Sequence, residues 1–113
     1  MKTKIEIKDI FGNVLFEHKQ ENNTLIDTVE EAVKRRVSLY GANLENANLE
    51  NAMLYGANLE NSNLERATLI GANLENSNLE NSNLERASLN GANLYGSNLE
   101  KTKLIGANLK NLS

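Results

Sequence analysis

The chain has 113 residues (12.5 kDa), with 12 basic and 15 acidic side chains for a net charge of −3, a mean hydropathy of −0.48, and neither cysteine nor proline. A chain of this length has room for one core, and the lack of cysteine excludes a disulfide framework and thiol redox chemistry. No apolar run is long enough to cross a bilayer and no hydrophobic signal segment follows Met1, so a soluble cytoplasmic protein is expected.

The first predicted element is a β-hairpin, in which Ile5, Ile7, Ile10, Val14 and Phe16 flank the turn signal Phe11-Gly12-Asn13. A helix is expected next. Asn23 or Thr24 caps it, Leu25, Val29, Ala32 and Val33 form an apolar stripe, and Glu30 and Glu31 precede Lys34, Arg35 and Arg36 in the order a helix dipole favours. A different pattern begins near Val37, dividing the chain into a unit of residues 1–36 and a unit of residues 37–113. The first reads as an N-terminal cap, because the open end of a repeat array exposes apolar core and unpaired backbone; a docking module of its own is the alternative. The three adjacent cations complement the helix dipole and a solvated face, so no direct nucleic acid binding is expected.

From Leu39 to Leu109 every fifth residue is leucine. On an α-helix five residues advance by about 500°, which would scatter those leucines around the axis and excludes a long helix. Ala42 and Leu44 instead alternate with Asn43 and Glu45, the period-two pattern of a short strand buried on one face. Two residues after most leucines stands Gly or Asn, as at Gly41, Asn46 and Gly71, and these types tolerate the positive φ that a type II turn requires at its third position. Arg66, Arg86 and Lys101 depart from this rule and predict a different local turn, such as type I.

A longer period is also present. Leu64-Glu65-Arg66-Ala67-Thr68 recurs as Leu84-Glu85-Arg86-Ala87-Ser88, and Tyr55-Gly56 is echoed by Tyr95-Gly96 two such intervals on. Twenty residues therefore make one coil with four faces, and the fold is an all-β solenoid of just under four coils around stacked leucines. Each buried leucine contributes about 2 kcal/mol. The absence of proline fits, since stacked strands need their backbone donors.

Repeats such as Ala57-Asn58-Leu59-Glu60-Asn61 and Ala72-Asn73-Leu74-Glu75-Asn76 resemble the pentapeptide-repeat family over roughly residues 37 to 111, with single departures at Val37, Met53 and Lys103. The resemblance implies a right-handed quadrilateral (square) β-helix, with the central Leu and the small residue two before it pointing inward. The chain stops at Leu109-Lys110-Asn111-Leu112-Ser113 with a coil incomplete. Either Leu112 folds over that coil, or two molecules stack end to end through Leu104, Leu109 and Leu112. The resemblance implies the second, since several relatives are dimers joined at their C-terminal ends, usually through a helix that this chain does not have.

No catalytic, cofactor or metal site is expected. There is one histidine, His18, read as exposed at the end of the hairpin, and every glycine is accounted for by turns instead of a phosphate loop. The candidate interaction surface lies on the outer faces. Glu60, Glu80 and Glu100 form one acidic column and Glu45, Glu65 and Glu85 the next, partly neutralised by Arg66 and Arg86. Asn43, Asn48, Asn58, Asn63 and their equivalents form a stripe whose amides are expected to bond from coil to coil. Tyr55 and Tyr95 share a face, with Tyr40 on its neighbour, and suit a protein contact. The expected function is a rigid, non-catalytic protein-interaction or structural scaffold with an unknown protein partner. The resemblance supplies an alternative, a DNA mimic that binds the type II topoisomerase DNA gyrase. Against that, fifteen pentads span only about 18 Å at sheet spacing.

Overall fold

A computed structural model describes all 113 residues. The strands β1 (Lys2–Lys8) and β2 (Val14–Glu21) pair antiparallel, with Ile7 opposite Phe16 and a register shift between Ile7 and Lys8. Ile7 is buried, whereas Ile10 and Val14 are exposed, contrary to the apolar set expected from the sequence. The irregularity ends the regular alternation at Lys8, so Ile10 lies in the connecting turn and not on a strand face. That turn is organised by Asp9, whose carboxylate accepts the backbone N–H of Phe11 and of Asn13, both at 2.9 Å, and the Asn13 side-chain amide at 3.1 Å.

The Asn13 side chain, helped by the backbone donors, holds the Asp9 carboxyl below its ordinary pKa. A carboxyl with a depressed folded-state pKa stabilises the fold above its unfolded pKa, near 3.9, and loses that contribution as pH falls through the lower folded value. The Asn13 amide resonance should therefore stay put from neutrality down to that range and move only below it. In an Asp9→Asn variant the same resonance should show no such titration.

The helix α1 (Leu25–Lys34) begins at Thr24, whose hydroxyl accepts the Asp27 N–H at 3.1 Å. Asn23 has a separate task. Its amide donates to the carbonyls of Thr3 and His18 and so ties the helix entrance to the hairpin. At the other end Arg36 takes a left-handed φ of 60°, Arg36 N–H bonds Val33 C=O, and Val37 N–H bonds Ala32 C=O. This is a Schellman closure, which satisfies the last carbonyls and turns the chain into the repeats.

Beyond it the chain returns on itself every twenty residues. Parallel bridges join Asn43 to Asn63, Asn63 to Asn83 and Asn83 to Lys103, with matching series on the other faces. The expected short strands are reduced to single bridging residues between turns. One pentad shows the bonding: Asn63 N–H reaches Ala42 C=O (2.8 Å), Leu64 N–H reaches Asn83 C=O (2.8 Å), Arg66 N–H reaches Glu85 C=O (2.9 Å) and Ala67 N–H closes the turn on Leu64 C=O (3.0 Å). The fifth donor, Glu65 N–H, is met by the Asn63 side-chain oxygen at 3.0 Å. Every backbone donor of the pentad is thus paired.

This bonding corrects two expectations. The asparagine stripe is not an amide ladder: each of its ten members, from Asn43 to Asn108, accepts the backbone N–H two residues ahead. Nor do Arg66, Arg86 and Lys101 make another kind of turn, for their φ values of 59°, 60° and 58° match the 59° of Asn61. The ladder fixes the backbone at Arg66 and Arg86, and at Lys101 the turn closed by Thr102 N–H on Leu99 C=O (3.1 Å) does so, overriding a side-chain penalty of about 1–2 kcal/mol.

Every central leucine from Leu39 to Leu89 is buried, and these side chains form one cluster with the small residues beside them and with Ile7, Val29 and Ala32 of the N-terminal unit. The hairpin and helix therefore sit on the first coil. Within the column the hydroxyls of Ser62 and Ser77 are buried without a partner, whereas that of Ser82 donates to Leu79 C=O at 2.6 Å. Removing an unsatisfied buried hydroxyl relieves a desolvation cost, so Ser62→Ala and Ser77→Ala should each stabilise the fold by about 1 kcal/mol or more, read as a higher urea midpoint. Ser82→Ala should not.

Candidate interaction surface

The residue after each central leucine points outward, and the twenty-residue repeat sorts these positions into four columns. One holds Tyr40, Glu60, Glu80 and Glu100; the next holds Glu45, Glu65, Glu85 and Ile105; a third holds Tyr55, Glu75 and Tyr95. The acidic columns are structurally compensated. Asn78 and Asn98 donate side-chain amides across the coil step to Glu60 and Glu80, each at 3.3 Å, and Glu60 and Glu80 are half-buried. In the adjacent column Arg66 and Arg86 both converge on Glu65, at 3.4 and 3.6 Å, and neither pairs with Glu85. Glu45 and Glu100 are exposed.

The tyrosines are held differently. These residues are exposed, 49% for Tyr40, 55% for Tyr55 and 72% for Tyr95. The Tyr55 hydroxyl accepts the side-chain amide of Asn76 at 3.1 Å, and Asn61 does the same for Tyr40. Both donors stand twenty-one residues ahead, on the following coil. A ring pinned at its far end and open on its face has little rotamer freedom left to lose on binding.

A cavity of about 860 Å³ lies between the end of α1 and the coil face carrying Met53 and Tyr55. It was not legible from the sequence, because Lys34 and Arg36 belong to the helix end and Tyr55 to the solenoid, twenty or so residues further on. His18 is half-buried, not exposed: its Nε2 is 2.8 Å from Gln20 Oε1, and the Gln20 amide donates to Asp27 at 3.1 Å, which joins hairpin to helix. In the final coil Leu104 is partly buried, while Leu109 and Leu112 are exposed. No helix is long and apolar enough to cross a membrane.

The family model for pentapeptide repeats matches residues 35–71 and 72–111, in eight copies. Among solved structures, the chain is similar to a pentapeptide repeat protein from the thylakoid lumen of Arabidopsis thaliana, with 28% identity and a TM-score of 0.65 over 66% of this chain and 52% of that one. It is also similar to HetL, a pentapeptide repeat protein involved in heterocyst differentiation regulation from the cyanobacterium Nostoc sp. strain PCC 7120. There the identity is 35% and the TM-score 0.63, over 66% of this chain and 35% of that one. The chain thus spans about half the length of the first and about a third of the second. No curated protein matches the sequence.

Proposed function

The chain belongs to the pentapeptide-repeat family, and we propose that it is a non-catalytic, cytoplasmic scaffold that binds a protein partner on its outer faces. In this reading the coils form a right-handed quadrilateral β-helix, supported by the four pentads per twenty-residue step, and residues 1–36 cap its first coil. The observation that carries the proposal is the anchoring of Tyr40 and Tyr55 by amides of the following coil, with their rings left open to solvent. Aromatic side chains fixed in this way by the following coil suit an interface core. An end-to-end dimer through Leu104, Leu109 and Leu112 belongs to the same proposal, and sedimentation of Leu109→Glu against the unaltered chain tests it.

Capture of a partner from the source cell should survive a rise in salt and be lost in Tyr55→Ser/Tyr95→Ser. Retention by that variant would remove the tyrosine face from the proposal. The DNA-mimic alternative makes the opposite forecast, namely inhibition of gyrase supercoiling that weakens steeply with salt and requires Glu60, Glu80 and Glu100. The bonding of Glu60 and Glu80 to Asn78 and Asn98 weighs toward the scaffold, because it gives those carboxylates a task inside the fold.

A further inference from the structure

The helix α1 packs on the first coil through Val29 and Ala32 and reaches Met53 through Glu30, and a helix cannot extend a ladder whose partners must be extended backbone. One coil later the ladder at the corresponding face is complete. Asn73 N–H bonds Ala52 C=O (2.9 Å), Asn73 C=O accepts Leu54 N–H (2.8 Å), Glu75 C=O accepts Gly56 N–H (2.9 Å) and Asn78 N–H bonds Ala57 C=O (2.9 Å). The equivalent groups on the first coil are Met53 N–H, Met53 C=O, Tyr55 C=O and Asn58 N–H. Only Met53 N–H has a partner, the Glu30 carboxylate at 2.7 Å. The other three bond to no group of the chain, and neither does Tyr55 N–H, because Met53 stands where an asparagine would accept it.

By the geometry of the later coils, the three ladder groups face the side where a predecessor would lie, and there the 860 Å³ cavity opens. Its walls combine the apolar side chains of Val33, Val37, Met53 and Tyr55 with the cations Lys34 and Arg36. Neither cation is in an ion pair, and the Glu30 carboxylate beside them is engaged with Met53. An exposed strand edge with unmet donors and acceptors is a template for another strand. We infer that this groove binds an extended acidic peptide segment of a partner protein, which pairs with the Met53–Asn58 edge and sets its carboxylates against Lys34 and Arg36. Alternate side chains of such a segment point to opposite sides, so one set meets the apolar wall while the other meets the cations. The inference rests on the scaffold reading and gives its partner a chemistry.

The test uses the full chain and a fluorescein-labelled hexapeptide of alternating isoleucine and glutamate. Two controls accompany it: the same peptide with lysine for glutamate, and the acidic peptide with N-methylated amides. The acidic peptide should bind saturably and shift the amide resonances of Tyr55 and Asn58. Affinity should fall about tenfold in Lys34→Gln/Arg36→Gln and further in Lys34→Glu/Arg36→Glu; both variants should stay folded, since these side chains are exposed, with only the small loss in melting temperature that removing cations from a helix C-terminus brings. Absence of binding, equal binding of the lysine or N-methylated peptide, or indifference to charge reversal would overturn the inference. Tyr95 is not among the residues lining the groove, so partner capture that depends on Tyr95 while the peptide fails would sink this inference and leave the scaffold reading standing. Peptide binding with capture indifferent to both tyrosines would do the reverse.

Discussion

Leu74→Asp should leave the chain without a cooperative unfolding transition. Leu74 is fully buried in a core one leucine wide, stacked between the equivalent Leu54 and Leu94 of neighbouring coils. The substitution removes about 2 kcal/mol of apolar burial and puts an unpaired carboxylate where no donor and no water can reach it, a cost of several kcal/mol more. Total stability for a domain is only about 5–15 kcal/mol, so the sum consumes most or all of it. Leu74→Ala, which costs about 2–5 kcal/mol, should still fold with a lower urea midpoint. Leu104 is partly exposed in the last coil, and Leu104→Asp should cost far less. A wild-type melting curve for Leu74→Asp would show that the leucine column does not hold the coils together.

The second effect is at Gly71. Its φ is +68°, and a methyl group added there would run into the side-chain oxygen of Asn51 on the preceding coil. Gly91, in the same column one coil on with φ +71°, has open space at that position. Gly91→Ala should therefore cost only the left-handed backbone penalty of about 1–2 kcal/mol, and Gly71→Ala should cost that plus the smaller cost of swinging the exposed Asn51 amide aside. Replacing Asn51 by alanine should abolish the excess at Gly71 and leave Gly91→Ala unchanged. Equal costs at the two glycines, read from urea midpoints, would mean that the Asn51 side chain swings aside freely.

The main course of the backbone was legible because its two periods are independent. The leucine spacing sets the core, and the recurrence of Leu64-Glu65-Arg66 at Leu84-Glu85-Arg86 sets the coil length; neither depends on knowing a partner. The turn at Arg66 was misread because propensity describes a residue by itself, whereas here the ladder from Arg66 N–H to Glu85 C=O decides the backbone. The asparagines were misread for a related reason. Their regular spacing suggests contact with one another, but only the tally of donors within one pentad reveals that Glu65 N–H needs Asn63. The groove beside α1 left no trace at all, since it arises from groups at Met53, Tyr55 and Asn58 that lack a predecessor, and a missing neighbour has no letter in a sequence. The column positions of the tyrosines follow from the two periods, whereas the anchoring of Tyr40 and Tyr55 by Asn61 and Asn76 follows from a coil step that composition does not display.

The twenty-residue return has a consequence for how such a chain changes length. Removing or duplicating one pentad would leave a leucine at every core position, but it would rotate everything downstream by one quarter turn, so that each outward side chain moved to the next wall. Removing or duplicating a whole coil would keep every side chain on its own wall and alter only the height of the column. Interior and exterior therefore obey different arithmetic: the inside counts in fives and tolerates frequent edits, whereas any surface read by a partner counts in twenties. Length variants that differ by single pentads would share a core and present unrelated faces.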